Sequence, residues 1–514
     1  MKRIHRGRWI WRIAGGMLAV GVLIVGIIVL DNRRLPTRSE VVDRLSAGEK
    51  ARLVEALNLR HSLGETVWTG WGQADIPIIV YNEAYAFLVA YLDPPPGWIQ
   101  MPQNKARGGP WEVVPGDRFL GQPYYRQPLP DPEATPQNFT VLVGERWVAT
   151  LQTKEYAAIA YYQGFGAELP PLLQPIFPYR LVWRILGGDT EVYISGLEHE
   201  SFHAFQGQRT PERLAAAEKA AQLETRYPWD DPKMAAAWQE ELDVLAAAAE
   251  VESDAEAADL ARQFLELRAQ RRRTAGLAPT LVDYERQREW LEGLAKYVEL
   301  AILRQARLSP DYQPILTNDP QFEGYAGSLR HWAQQLAEVR RTGNREGELR
   351  FYYTGLAQAA LLDRLLPGWK TRALEADVWL EKLLAEAVGF SAPSDRMDIK
   401  KVVIGSPAVG AELALPHLLL AKPASGRAPV GGNDGFAAIV ECTGHNAHSE
   451  RPTDTISAVR EIILSDVSAA VKLHPFIDAW PSDQEQNQPA VQARMSSVAY
   501  CSPAGAAPRI QGAS

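Results

Sequence analysis

Two histidines flank a glutamate in the stretch His199-Glu200-Ser201-Phe202-His203, near the middle of a 514-residue chain. On an α-helix, residues four apart are separated by about 6 Å along the axis and about 40° around it, so both imidazoles can bind one ion. Glu200 would lie about 100° around the helix from His199, beside such an ion without binding it. This spacing predicts zinc bound by His199 and His203, with Glu200 as the general base of a metal-assisted hydrolysis.

The helix that this chemistry requires is marked in the sequence at both ends. Asp189 and Thr190 are residue types that cap a helix N-terminus, and Gly207 is typical of a C-terminus, so a helix is predicted over 190–206. A catalytic zinc also needs a third protein ligand and an open position for water. That third ligand must come from another part of the chain.

The segments HESFHAFQ and, downstream, WLEGLAKYVE resemble the two-helix signature of the gluzincin metallopeptidases. In that family the first glutamate of an E-G-x-A-x-Y-x-E-like helix is the third zinc ligand. The positions matched here are Glu292, Gly293, Ala295, Tyr297 and Glu299. The resemblance covers two short helices and implies a zincin-like catalytic domain, Zn²⁺ held by His199, His203 and Glu292, and a peptide or protein substrate. Leu291 stands where the aminopeptidases of the family have asparagine, so aminopeptidase specificity is not implied.

Other acidic residues compete with Glu292 for the third position. Glu285, Glu289 and Glu292 share one stripe of a predicted helix, so Glu289 could orient a ligand histidine or replace Glu292 as ligand. The helical stretch between the two motifs carries further acids that could bind the metal, although a solvated helix face explains them as well. These acids are Glu250, Glu252, Asp254 and Glu256.

A hydrolase of this kind also needs a hydrogen-bond donor for the negative charge that develops on the substrate oxygen. The candidates by residue type are Tyr297, Tyr352, Tyr353 and Arg350, and the sequence does not choose among them. A substrate peptide could in addition pair with one arm of a hairpin predicted at 138–151.

An uncharged apolar stretch at 13–30 is long enough to cross a hydrocarbon core of about 30 Å. More basic residues precede it than follow it, which predicts a cytoplasmic N-terminus and an extracytoplasmic body. The preceding residues are Lys2, Arg3, Arg6, Arg8 and Arg12, and the following ones are Arg33, Arg34 and Arg38. Asp31 to Arg34 lack the small side chains of a signal-peptide cleavage site, which favours an uncleaved single-pass anchor.

Patterning predicts three regions: the cytoplasmic N-terminus and transmembrane anchor (1–38), a zincin-like metallohydrolase domain (39–390), and an appendage of unknown order and function (391–514). The middle region begins with a helix at 39–63, followed by a proline-rich and β region over about 64–152. That region includes a loop-rich stretch at 93–136 and a hairpin of 138–143 with 146–151. Helices are predicted over 211–226, 234–273, 281–307, 325–341 and 346–388, within a helical region of about 153–390. The predicted fold class is therefore α+β and predominantly α-helical.

The formal net charge of −8 and the pI near 5.7 argue against a nucleic-acid partner. The one dense basic run, Arg268 with 271–273, is typical of the last turn of a helix. Cys442 and Cys501 are the only cysteines, so no disulfide framework is predicted. Cys442, His445 and His448 lie close in sequence without a clear fourth ligand, and we interpret this cluster as incidental.

Together these patterns predict a membrane-anchored zinc metallopeptidase. Two alternatives stay open on the sequence. One is a noncatalytic envelope binding protein, in which a metal is absent or structural. The other is a zinc hydrolase that cleaves a non-peptide ester or amide, since an open zinc activates water against these bonds too.

Overall fold

The computed structural model describes residues 4–102, 104–129, 141–186, 188–344 and 347–391. The described residues do not include the cluster of Cys442, His445 and His448, or Cys501. They also leave out nearly all of the predicted appendage and the first three residues of the predicted hairpin. Fourteen helices and eight strands fall within them, so the predicted α+β class with mostly helical content is confirmed.

The helices precede, follow and outnumber a block of short strands. The strands are β1 Ile78–Tyr81, β2 Tyr85–Val89, β3 Trp98–Gln100, β4 Lys105–Arg107, β5 Glu112–Val113, β6 Tyr125–Pro128, β7 Val141–Val143 and β8 Arg146–Gln152. Two helices come before them, α1 Ile4–Asn32 and α2 Ala47–Val67. The others are α3 Lys154–Glu168, α4 Tyr179–Leu186, α5 Thr190–Arg209, α6 Pro211–Ala220, α7 Pro232–Glu250, α8 Asp254–Thr274, α9 Pro279–Arg288, α10 Leu294–Leu308, α11 Ser328–Arg341, α12 Leu349–Leu365, α13 Trp369–Ala373 and α14 Leu380–Ala387.

The strands form one mixed sheet in the order β4-β3-β7-β8-β1-β2-β6-β5. The pair β1 and β8 is parallel, and the other neighbours are antiparallel. Val141 pairs with Val148 and Val143 with Arg146, which confirms the predicted hairpin over its described residues. Both arms have a neighbouring strand on their outer side, β3 beside β7 and β1 beside β8. The hairpin therefore lies inside the sheet, where β3 and β1 already pair with part of each arm, and pairing of one arm with a substrate peptide stays a prediction.

Several predicted helices differ from the observed ones at breaks that have a local cause. The first helix of the body starts at Ala47 and not at residue 39, because the Ser46 side chain accepts a hydrogen bond from the Glu49 amide. The predicted helix at 234–273 is two helices, since Ser253 caps the start of α8. The predicted helix at 346–388 is three, and Gly368 with a φ of +81° helps to end the first. Helix α5 continues past Gly207 to Arg209.

The largest departure is inside the helix predicted at 281–307. It is divided into α9 and α10 by a π-helical turn over Glu289–Gly293. A π-turn inserts one residue into a helix and rotates the side chains that follow it. The candidate ligand Glu292 lies in this turn.

Helix α5 lies at the centre of the body. It packs on β8 of the sheet and on the helices α2 and α10. Phe202 of α5 contacts the rings of Trp68 and Trp71, with centroids 4.9 Å and 5.9 Å away. The sheet and the helices thus hold α5 from several sides.

Candidate metal centre

Sixteen of the twenty residues of α5 are buried. A helix that is buried all round normally carries apolar side chains all round. The buried set of α5 instead includes Glu198, His199, Glu200, Ser201 and His203. Buried ionisable groups are costly unless they are paired or bind a metal, so this polar run in the core requires a chemical explanation.

The structure brings His199 and His203 together with Glu292 of the π-turn. The Nε2 atoms of the two imidazoles are 3.0 Å apart. Oε2 of Glu292 lies 3.4 Å from Nε2 of His199 and 3.3 Å from Nε2 of His203. All three residues are buried, and this group could hold a metal ion.

These separations are those of a small tetrahedral metal ion. Bonds of about 2.0–2.1 Å at tetrahedral angles hold two ligand atoms about 3.3 Å apart. Atoms that each present a lone pair repel at such distances unless a cation lies among them. That cation is either protons on the imidazoles, which then donate to Glu292, or one divalent ion that binds all three atoms.

The other nitrogen of each imidazole is also engaged. Nδ1 of His199 lies 2.8 Å from Oε2 of Glu299, a carboxylate that can only accept a hydrogen bond when ionised. Nδ1 of His203 lies 2.8 Å from Oε1 of Gln206. With its proton on Nδ1, each imidazole in its neutral form presents the lone pair of Nε2 towards Glu292 and can bind a metal there. Such partners fix the tautomer and orientation of metal-binding histidines.

Gln206 also connects the two elements that carry the ligands. Its Nε2 donates to the carbonyl oxygens of Trp290 and Leu291, at 3.0 Å and 3.3 Å. These carbonyls belong to the π-turn, so one side chain orients His203 and holds α5 against the turn that carries Glu292. The opposite oxygen of Glu292 accepts a hydrogen bond of 2.9 Å from Nη2 of Arg288.

A glycine pair allows the π-turn to approach α12. A Cβ on Gly355 would lie 2.5 Å from Cα of Gly293 and 2.6 Å from the carbonyl oxygen of Glu289. Both contacts are to backbone, which side-chain motion cannot relieve. Only glycine at these two positions permits the observed spacing.

Burial and opposite charge act together on the pKa values of the group. Burial alone would lower the pKa of His199, but hydrogen bonds with Glu292 and Glu299 raise it to about 10. Burial alone would raise the pKa of Glu292, but Arg288 and His203 bring it well below the usual range. The carboxylate is therefore ionised at neutral pH and stabilises positive charge at the imidazoles. The same carboxylate would stabilise a divalent cation bound between the imidazoles.

Glu200 lies beside this group without belonging to it. The residue is 2% exposed, and its Oε2 has no hydrogen-bond partner among the described residues. Burial raises the pKa of Glu200 to about 7, although His203 and His199 oppose the rise. A carboxylate with a pKa near neutrality can accept and return a proton in that pH range.

Glu289, the alternative ligand, is placed elsewhere. Its two carboxylate oxygens accept hydrogen bonds of 2.6 Å and 2.9 Å from Arg268. Arg268 and Arg271 lie near the end of α8, as predicted, but they are buried against acidic side chains rather than exposed. Their partners are Glu241, Glu285, Glu289 and Glu381. The extra residue of the π-turn separates Glu289 from the stripe that an unbroken helix would give it with Glu292.

The other candidate acids are also away from the group. Glu250 pairs with Arg340, and Asp254 pairs with Arg364 at 2.8 Å. Neither belongs to the metal-capable group, and the same is true of Glu252 and Glu256.

Of the candidate donors, one lies against a ligand. The ring of Tyr352 stacks on His199 at 6.0 Å between centroids, with an angle of 8° between the planes. The hydroxyl of Tyr297 donates to Asp363, and that of Tyr353 donates to Gln335 at 3.1 Å. Arg350 donates to the carbonyls of Thr342 and Gly343. Tyr352 is therefore the candidate donor that lies next to the metal-capable group. Tyr297, Tyr353 and Arg350 form hydrogen bonds with residues outside this group.

The chain matches no protein family model, and no curated protein and no solved structure is similar to it. What this site does must therefore be inferred from its own residues and their geometry.

Proposed function

We propose that this protein is a membrane-anchored zinc metallopeptidase of the gluzincin type, with a zincin-like catalytic domain. The observation that carries the proposal is the spacing of His199, His203 and Glu292, whose ligand atoms face one another at 3.0–3.4 Å in the core. The buried carboxyl of Glu200 beside them, with a pKa of about 7 and an Oε2 that has no partner among the described residues, supports a catalytic rather than a structural use of the metal.

The donor set suits zinc. Two imidazoles and one carboxylate are a ligand set of catalytic zinc sites, which keep a fourth position open. Among the described residues the metal-capable group has three members. Zinc held by His199, His203 and Glu292 would supply Lewis-acid polarisation of a carbonyl and would lower the pKa of water to about 7.

The protein's own residues carry the proton transfers. Glu200 accepts a proton from the attacking water and returns it to the nitrogen of the leaving amine. Glu299 and Gln206 hold the two imidazoles in the tautomer that binds metal. Tyr352 is the candidate donor for the negative charge on the substrate oxygen, because its ring lies against His199.

The N-terminal helix supports the membrane location. The window Gly15–Asn32 is long and apolar enough to cross a membrane, and none of its residues is buried in the described part of the chain. The excess of basic residues before it favours a cytoplasmic N-terminus, which puts the catalytic body outside.

Hydrolysis of peptides by the zinc-loaded chain and by its Glu200→Gln variant tests the proposal. General acid-base catalysis contributes about 10²–10⁴-fold, so the variant is expected to lose that much activity while it keeps its metal. Glu198→Gln is the matched control, because Glu198 is also 2% exposed on α5. Burial raises the pKa of Glu198 to about 8, so its neutral form predominates at pH 7 and glutamine resembles it.

Two results would contradict the proposal. Full peptide hydrolysis by Glu200→Gln would exclude Glu200 as the general base. A zinc-loaded parent that cleaves esters or non-peptide amides but no peptide in a diverse panel would instead identify a different hydrolase.

A further inference from the structure

Four large apolar side chains are exposed in the segment that follows α3 and in the first turn of α4. Leu172 is 88% exposed and Leu181 is 53% exposed, while Leu173 and Ile176 are 46% and 38% exposed. We call these four residues the apolar patch. Scattered exposed leucines are ordinary, but a clustered set indicates a surface that contacts a partner or a membrane.

The apolar patch lies at the end of the candidate membrane helix. The Asn32 side chain, in the last turn of α1, donates to the carbonyls of Pro175 and Phe177 at 2.9 Å and 2.8 Å. Arg180 forms an ion pair of 3.3 Å with Asp31 and donates to the carbonyl of Arg34. The membrane-spanning window ends at Asn32, so these bonds hold the patch at the depth where α1 leaves the hydrocarbon.

The side chains around the apolar patch are those that favour a membrane interface. Arg33, Arg34, Arg180 and Arg184 are exposed nearby and can approach lipid phosphates. Aromatic rings of α3, of α4 and of the segment between them pack on one another and support the segment that carries the patch. Phe177 packs on Phe165 and Tyr179, and Tyr161 packs on Trp183, with centroids 4.9–5.3 Å apart.

We propose that the apolar patch inserts into the membrane surface from which α1 emerges, with the arginines on anionic phospholipid. This proposal rests on the proposed spanning of α1 and is independent of the metal chemistry. The partner is a bilayer, because the patch is bonded to the end of a helix whose large apolar side chains are mostly exposed between Met17 and Leu30. Such a second contact orients the catalytic body on the membrane instead of leaving it on a single tether.

Spin labels on single cysteines in the full chain test this, after Cys442 and Cys501 are replaced by serine. The patch positions are Leu172→Cys and Ile176→Cys. The matched controls are Leu308→Cys on α10 and Val113→Cys on β5, whose side chains are 50% and 52% exposed. Leu23→Cys reports on α1. Each chain is reconstituted in phosphatidylcholine vesicles with and without phosphatidylglycerol, and label collisions with oxygen and with a water-soluble nickel chelate are measured.

We expect the ratio of oxygen to nickel accessibility at 172 and 176 to be several-fold higher than at 113 and 308, and to rise further with phosphatidylglycerol. Equal ratios at patch and control positions would overturn the proposal. A patch label shielded from both reagents would also overturn it, because it would indicate contact with protein. If the label at 23 is in lipid while those at 172 and 176 are in water, the patch proposal fails and the anchor stands. A label at position 23 that is exposed to water would contradict both the patch proposal and the membrane anchor.

Discussion

Each candidate ligand atom is held in place through the opposite end of its own side chain. Glu299 and Gln206 engage the Nδ1 atoms of His199 and His203, and Arg288 engages the far oxygen of Glu292. Glu299 is itself paired with Lys296 at 2.5 Å. The ligand atoms therefore need little rearrangement when an ion binds, which lowers the entropic cost of binding.

Removing this support should weaken metal binding without abolishing it. Outer partners of metal-binding histidines are worth about 10–100-fold in affinity, so we expect that loss in Glu299→Ala and a smaller one in Glu299→Gln. Competition with a chromophoric zinc chelator measures the zinc affinity of each variant. Glu266→Ala is the control, because Glu266 is exposed on α8. Equal affinity in Glu299→Ala and the control would show that Glu299 does not orient His199.

The sequence predicted some of the residues that lie at the site. His199, Glu200 and His203 follow from helical spacing alone, and Glu292 followed from the resemblance. Glu299 comes seven residues after Glu292, about two helical turns, so a signal for a shared face existed. Glu299 was also a matched position of the resemblance, but no role beside His199 was predicted for it. The placement of Glu289 could not be predicted, because it depends on a π-turn.

Among the elements, the π-turn and its contact with α12 decide where Glu292 points. Gly355→Ala should force the two helices apart, because its Cβ would meet backbone atoms at 2.5–2.6 Å. Overpacking of this kind costs about 1–3 kcal/mol in the free energy of unfolding, and the displaced Glu292 should lower zinc affinity as well.

Urea unfolding and a zinc titration measure both effects. The control is Gly164→Ala in α3, where an added Cβ meets nothing within 4 Å. Alanine has the higher helix propensity, so this control should be neutral or stabilised by up to about 1 kcal/mol. Gly355→Ala with parental stability and zinc affinity would contradict the role given to the glycine contact.

The buried ion network between α8, α9 and α14 should make the body sensitive to acid. Burial alone would raise the pKa of Glu285, but Arg271 and Arg272 hold it at about 2, below its ordinary value of 4.5. A carboxyl whose pKa is lower in the folded state stabilises the fold above pH 4.5, and that stability is lost as the pH falls towards 2. The free energy of unfolding measured by urea from pH 6 to 2.5 should decline over this window, and less steeply in Glu285→Gln. Identical slopes would exclude Glu285 as a source of the decline.

The elements were predicted well where a local signal determines them. The β7–β8 hairpin follows from alternation and Gly144-Glu145. Helix α5 begins at the predicted residue Thr190, but Asp189 makes no side-chain capping bond and the helix continues past Gly207 to Arg209.

The breaks at 251–253 and at the π-turn were missed because alanine-rich and leucine-rich helical sequence continues on both sides of them. Ser253 gives a local capping signal at the first break. The π-turn packs on α12 through Gly293 and Gly355, and such a contact between distant segments is not encoded in local patterning.

For the whole molecule, one helix is expected to control membrane attachment. The full chain should stay with the membrane after alkaline carbonate extraction, whereas a chain that begins at Ser39 should be released into the supernatant. A patch of four side chains does not replace a spanning helix. Immunoblots of both fractions measure the distribution, and complete release of the full chain would contradict the anchor.

The metal content of the protein is the decisive measurement for the site formed by His199, His203 and Glu292. The detergent-purified full chain, supplied with zinc and iron and then dialysed, should hold about one zinc per chain. Both metals are measured because two histidines and a carboxylate also bind non-haem iron. His199→Ala and Glu292→Ala should lose the metal, and Glu200→Gln should keep it. A folded parent without metal, or variants at 199 and 292 that retain it, would contradict the account, and iron in place of zinc would contradict the proposed hydrolysis.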